Sequence, residues 1–178
     1  TIIEAREMPN GRTTQLANDA VPTFGLASTR NWVVYGASAR ERTALVAIRH
    51  DRSRRLVLAR ALLAPLAGRG SMVAWAEADG ERQKVVVRDM RSGAAWLAAE
   101  MPRCLNGRCY RIDRVTLAED GVVFDRGAVG PQPSIVVRRR YGGPIERAIV
   151  PNDPQPDLAP SSTGAFYAVI TGTPRPAR

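Results

Sequence analysis

One short phrase recurs along the chain and constrains its fold more than any other feature. VVVRDMRSG (85–93) is echoed by IEAREMPNG (3–11), VAIRHDRSR (46–54) and VVRRRYGG (136–143). Each copy alternates apolar residues, carries an arginine (Arg6, Arg49, Arg88 and Arg138) and runs into a turn, the pattern of a strand with one face buried. A second phrase closes on an aromatic: Tyr35 in WVVYG, Trp75 in MVAWA, Phe124 in GVVFD and Tyr167 in GAFYA. A Leu-Ala step lies upstream of each aromatic, at Leu26, Leu66, Leu117 and Leu158, nine residues before it in three copies and seven in the third. A weaker element follows each arginine phrase: TTQLA, RRLVLA, AAWLAA and ERAIV. The unit is four short strands with a period of roughly 40–50 residues, in the range that marks repeat architectures.

A four-stranded antiparallel sheet cannot bury both its faces alone, so copies of it must stack. The expected fold is all-β, a β-propeller whose blades run Leu-Ala strand, aromatic strand, arginine strand, outer strand. A β-sandwich also shows short strands at regular spacing and is the alternative. The single domain divides into a half blade at 1–20, blades at about 21–61, 62–102 and 110–151, a half blade at 152–172 and a tail at 173–178. The chain opens on an arginine strand and ends on an aromatic strand, so the two halves complement each other. They either pair to close a four-bladed ring or belong to a larger propeller of six to eight blades, completed by another chain or by further sequence. The larger propeller is favoured, because four-bladed rings are the less common solution and Thr1 is not an initiator methionine.

VVVRDMRSG resembles the third strand of a WD-type repeat, with Arg88 where the usual tryptophan precedes Asp89. PQPDLAPSSTGAFYAV (154–169) is similar to the Pro-rich, Ser-Pro-Asp-Gly-then-apolar repeat of TolB-like propellers, with Pro160-Ser161-Ser162-Thr163-Gly164 at the place of that signature. The resemblance covers all four units loosely and one unit well, at superfamily level. It implies a bacterial, non-enzymatic scaffold for a protein or peptide partner, and it carries no catalytic residues. Propellers of this kind also gate prolyl-oligopeptidase-like hydrolases, so the rival reading is the propeller portion of a larger hydrolase or lyase.

The formal charge is +9, and Lys84 is the only lysine, an arginine bias typical of a GC-rich genome. The arginines are spread along the chain and are not interleaved with aromatics as a base-stacking platform requires, so nucleic acid is not the expected partner. No apolar run approaches the ~18 residues needed to span a bilayer. Cys104 and Cys109 flank Asn106-Gly107, a turn signal that brings two sulfurs together; the expected disulfide points to an exported, extracytoplasmic protein.

His50 is the only imidazole and falls beside a turn, and no nucleophile elbow, P-loop or dinucleotide fingerprint occurs. No cofactor or metal is expected, since one histidine and two neighbouring cysteines do not make a zinc tetrahedron; the carboxylates and carbonyls of NDPQPD (152–157) would suit calcium, and a proline-braced connection between blades explains that segment equally well. The acidic residues Glu119, Asp120 and Asp125 are read as loop residues rather than paired acids. The recurring arginines are expected at one radius, where a ring of guanidinium groups could bind an anion; the favoured role is structural, each pairing with an acid such as Glu7, Asp51 or Asp89 or with the next blade, and the aromatics are expected as wedges between blades. Candidate ligand contacts are the loops at one end of the blades, including Asn152, Asp153 and Asp157 and the linker around Cys104.

Overall fold

The computed structural model describes residues 1–6, 13–128, 134–143, 145–150, 157–160 and 167–170. Among them the chain is all-β, with one short 3-10 turn at Pro22–Phe24 and no α-helix. Strands β1 (Ile3–Arg6) and β2 (Thr13–Ala17) form a hairpin. Strands β3 (Leu26–Ser28), β4 (Trp32–Ala39), β5 (Arg42–Arg49) and β6 (Arg55–Ala59) form an antiparallel sheet in sequence order. So do β7 (Ala67–Arg69), β8 (Met72–Asp79), β9 (Arg82–Asp89) and β10 (Ala95–Pro102). A third sheet holds β13 (Val115–Ala118), β14 (Gly121–Ala128), β15 (Ser134–Arg140) and β16 (Ile145–Val150), and a last hairpin holds β17 (Asp157–Pro160) and β18 (Tyr167–Ile170). Every element of the repeating sequence unit is a strand; the first two four-stranded sheets follow the expected order, and the third adds further strands beside β14.

Sequence alternation explains how the sheets stack. Tyr35 and Val46 face one another across β4 and β5 and project, with Val33 and Ile48, toward Leu16 of the first hairpin. The intervening residues Val34, Leu45 and Ala47 project from the other face and pack with Val73 and Trp75 of the next sheet. Val85 and Val87 continue the pattern by meeting Val122, Phe124 and Val137 of the third. Each apolar layer therefore lies between consecutive sheets, and Tyr35, Trp75 and Phe124 all point to the preceding one. The first strands adjoin in turn, β3 beside β7, β7 beside β13 and β13 beside β17. Gly68 of β7 comes so near β3 that a Cβ there would stand 2.5 Å from the Cβ of Ala27.

Several expectations need correction. Of the two alternatives for the chain ends, the less favoured closure does not form among the described residues: the hairpins β1–β2 and β17–β18 are separate two-stranded sheets and do not pair with each other. The segment before the third sheet is not a linker but a hairpin, β11 (Cys104–Leu105) and β12 (Arg108–Arg111), whose second strand pairs with Gly127 and Ala128 on β14. In that sheet Val115, and not Leu117, opposes Phe124 as Leu26 opposes Tyr35, which accounts for the shortened Leu-Ala spacing.

The arginines do not occupy one equivalent position either. Arg49 is paired with Trp32, Arg88 with Val73 and Arg138 with Val123, respectively three, two and one residues before the aromatic of the same sheet. A one-residue slip in a strand reverses the face, so these arginines cannot form a uniform ring.

Candidate functional site

Because Arg49 follows Ile48 it shares a face with Ala47, which looks toward the second sheet; Arg88 shares a face with Val86, which looks back toward the first. The two guanidinium groups thus enter the same gap between sheets from opposite walls. This gap opens at the end of the sheets where β4 and β8 begin. A 480 Å³ cavity there is lined by Thr29, Arg30, Asn31, Trp32, Met90 and Arg91 among others. It adjoins a 270 Å³ cavity that shares Asn31, Trp32, Met90 and Arg91 and adds Arg49, Arg54, Leu56 and Arg88. Together they form a groove with five arginines on its walls, while Trp32, Leu56 and Met90 supply apolar surface.

Local turn chemistry holds the walls. Thr29 Oγ1 accepts the Trp32 N–H at 3.2 Å, and Thr29 N–H donates to the Trp32 carbonyl at 2.8 Å, which presents Arg30 and Asn31 at the apex of the β3–β4 turn. On the second sheet, Met90 N–H donates to the Ser71 carbonyl at 2.8 Å. Asp89 Oδ1 accepts the Arg91 N–H at 2.9 Å, and its Oδ2 accepts from Ser92 Oγ at 2.7 Å. These bonds, that from Arg91 first, hold the Asp89 carboxyl down at about 2, so it stays ionised while serving its own turn. Asp51 is held likewise by Ser53, whose side chain and backbone N–H lower its pKa.

The arginines of the groove retain little internal compensation. Arg49 lies 3.6 Å from Asp51. Arg30, Arg54, Arg88 and Arg91 make no ion pair among the described residues; the expected pairing of Arg88 with Asp89 does not form, because that carboxylate turns to Arg91 and Ser92. The contrast with the third sheet is sharp. Arg138 is buried and its Nη2 donates to both oxygens of Asp120, at 2.9 and 2.7 Å, and this pairing lowers the Asp120 pKa. Arg138 therefore welds the β13–β14 turn to β15, whereas Arg49 and Arg88 line the groove.

No protein-family model matches the chain, and a search of curated proteins finds no match. The groove thus stands on its own geometry.

The other predicted site residues are dispersed. The Cys104 and Cys109 sulfurs stand at disulfide distance, 2.02 Å, across paired positions of β11 and β12. Asn106 and Gly107 both have positive φ, +51° and +73°, the conformation of a tight hairpin turn that Asn-Gly favours. This hairpin leaves from the opposite end of the sheets: Arg103 N–H donates to Glu81 in the β8–β9 turn. Asp157 is the first residue of β17, and Asn152, Asp153 and Glu7 lie outside the described residues. Arg6 ends β1 and is exposed, and Tyr167 begins β18 opposite Pro160.

Asp120 sits in the β13–β14 turn, but Asp125, read from the sequence as a loop residue, lies inside β14. Asp125 is fully buried, and its Oδ1 accepts the N–H groups of Asp113 and Arg114, both at 2.9 Å. Burial raises its pKa to about 6. Buried Gln83 performs a similar task from β9, donating to the Tyr110 carbonyl and accepting from Ile112 N–H. The two side chains replace the ladder bonds lost where the edge of β14 passes from β12 to β13. Sequence reasoning missed this pair as well as Arg30, Arg54 and Arg91. The available signal was arginine in successive turns at the same end of the units, as in STRNW, HDRSRR and RDMRSG.

Proposed function

We propose that the chain is a β-propeller-type array, related at superfamily level to TolB-like and WD-type repeats, that acts as a non-enzymatic binding module outside the cytoplasm. The observation that carries the functional part is the groove between Arg49 and Arg88, an open cleft with ready-made donors and apolar contact surface. Support for the blade reading comes from the in-order four-stranded sheets, the apolar layers between consecutive sheets and the adjoining first strands. The cysteine pair at disulfide distance is compatible with an oxidising compartment. Among the described residues no helix is long and apolar enough to cross a membrane. Strands β1 and β18 each pair on one side only among the described residues, and another chain would complete their sheets there.

The test is site-specific photo-crosslinking in the native cell, with the photoreactive residue placed at Asn31 beside the groove or at Glu81 at the other end. A binding module that uses the groove gives a discrete protein adduct from Asn31 and none from Glu81. Absence of any adduct from Asn31 would overturn the proposal.

A further inference from the structure

We infer that the groove takes an acidic peptide segment of its partner, with carboxylate side chains on the arginines and apolar side chains against Trp32, Leu56 and Met90. This rests on the binding-module reading above and specifies the chemistry of the ligand.

The charge arrangement selects an anion. Arg30, Arg49, Arg54, Arg88 and Arg91 line the two joined cavities, and among the described residues no carboxylate does. The nearby acids Asp51 and Asp89 are occupied by Ser53 and by Arg91 N–H with Ser92. A guanidinium is a planar fork that meets a carboxylate through two parallel hydrogen bonds, and its weak hydration makes its desolvation in a groove less costly than that of an ammonium. Four of the five arginines have no competing ion partner among the described residues, so a ligand carboxylate displaces water rather than a protein acid.

The apolar surface selects the kind of anion. Met90 is buried and Trp32 and Leu56 are half-buried, so the cleft offers apolar contacts between its charged walls. A peptide that intersperses acids with apolar residues uses both surfaces. Single-stranded nucleic acid needs successive aromatic platforms, and among the described residues Trp32 is the one aromatic lining the groove. A polyphosphate gains nothing from Leu56 or Met90. The cavity at the other end of the sheets contains Glu41 beside Arg42 and Arg103 and lacks this one-sided charge.

The experiment is a fluorescent binding screen of the purified full chain against an array of peptides that vary independently in net charge and apolar content. The expected binders are acidic peptides containing Leu, Ile or Phe, and their affinity falls as salt is raised. The combined Arg30→Gln, Arg54→Gln and Arg91→Gln substitutions, all at exposed positions, weaken those binders by about tenfold or more, in line with the loss of charge-assisted hydrogen bonds. Arg49→Gln with Arg88→Gln has the same effect, and Arg42→Gln with Arg103→Gln at the opposite end leaves binding unchanged. Circular dichroism establishes that each variant is folded before its affinity is compared.

Selection without an acidic bias, acidic binding that survives both groove variants, or displacement of the peptides by tripolyphosphate or a single-stranded oligonucleotide at lower concentration overturns the inference. A crosslink from Asn31 together with any of those results leaves the binding module standing and removes only the acidic-peptide chemistry.

Discussion

At the scale of single residues, position on the pleat decides what a recurring side chain does. Arg88 and Arg138 occur in similar phrases, yet one lines a groove and the other is buried on Asp120, because their ladder positions differ by one residue relative to Trp75 and Phe124. Asp125 yields a pH prediction. Burial raises its pKa from 3.8 to about 6, so between those values the folded protein holds a proton that the unfolded chain has released. Its contribution to stability therefore declines as pH rises through that window and remains lost above it, a change of about 3 kcal/mol at 1.36 kcal/mol per pH unit. Asp125→Asn keeps an oxygen for Asp113 and Arg114 but cannot ionise. In urea denaturation, wild-type stability minus that of Asp125→Asn is expected to fall from about pH 4 to pH 6 and then level off. A difference that stays constant over this range would refute the assignment.

Strands and turns carry the next level. The contact of β3 with β7 depends on Gly68, where a valine would drive its Cβ to 2.5 Å from the Cβ of Ala27. Neither Cβ swings on a flexible side chain, so Gly68→Val is expected to destabilise the protein by roughly 1–3 kcal/mol, the usual cost of overpacking. Equilibrium denaturation gives this value directly. Exchanging the residues, Ala27→Gly with Gly68→Ala, should be less harmful than Gly68→Ala alone; additive losses would show that this approach of the two strands is not the cause. These elements were readable because each announces itself locally: short apolar, β-branched and aromatic runs for β4, β5, β8 and β9, and Asn-Gly for the β11–β12 turn. The pairing of β12 with β14 was not, since it depends on Gln83 and Asp125 capturing a segment distant in sequence.

For the whole molecule, stability should follow the stacking of sheets. The central strands β4, β5, β8 and β9 have neighbours on both edges and apolar layers on their faces, whereas β1–β2 and β17–β18 are two-stranded and such hairpins are marginal alone. Native-state hydrogen exchange read by mass spectrometry is expected to show slowest exchange in those four strands and fast exchange in both terminal hairpins. Reduction of Cys104 and Cys109 should accelerate exchange in β11–β12 while leaving β4 and β5 unchanged; equal protection throughout would refute this ordering of the sheets by stability. The strands of the repeating unit, their order within that unit and the cysteine pair were legible in the residues themselves, because apolar patterning and turn chemistry act over a few neighbours, whereas the β11–β12 addition to the third sheet was not. Which arginines face a common gap and which polar residues are buried follow from register between strands and from the neighbouring sheet, and no local pattern specifies either.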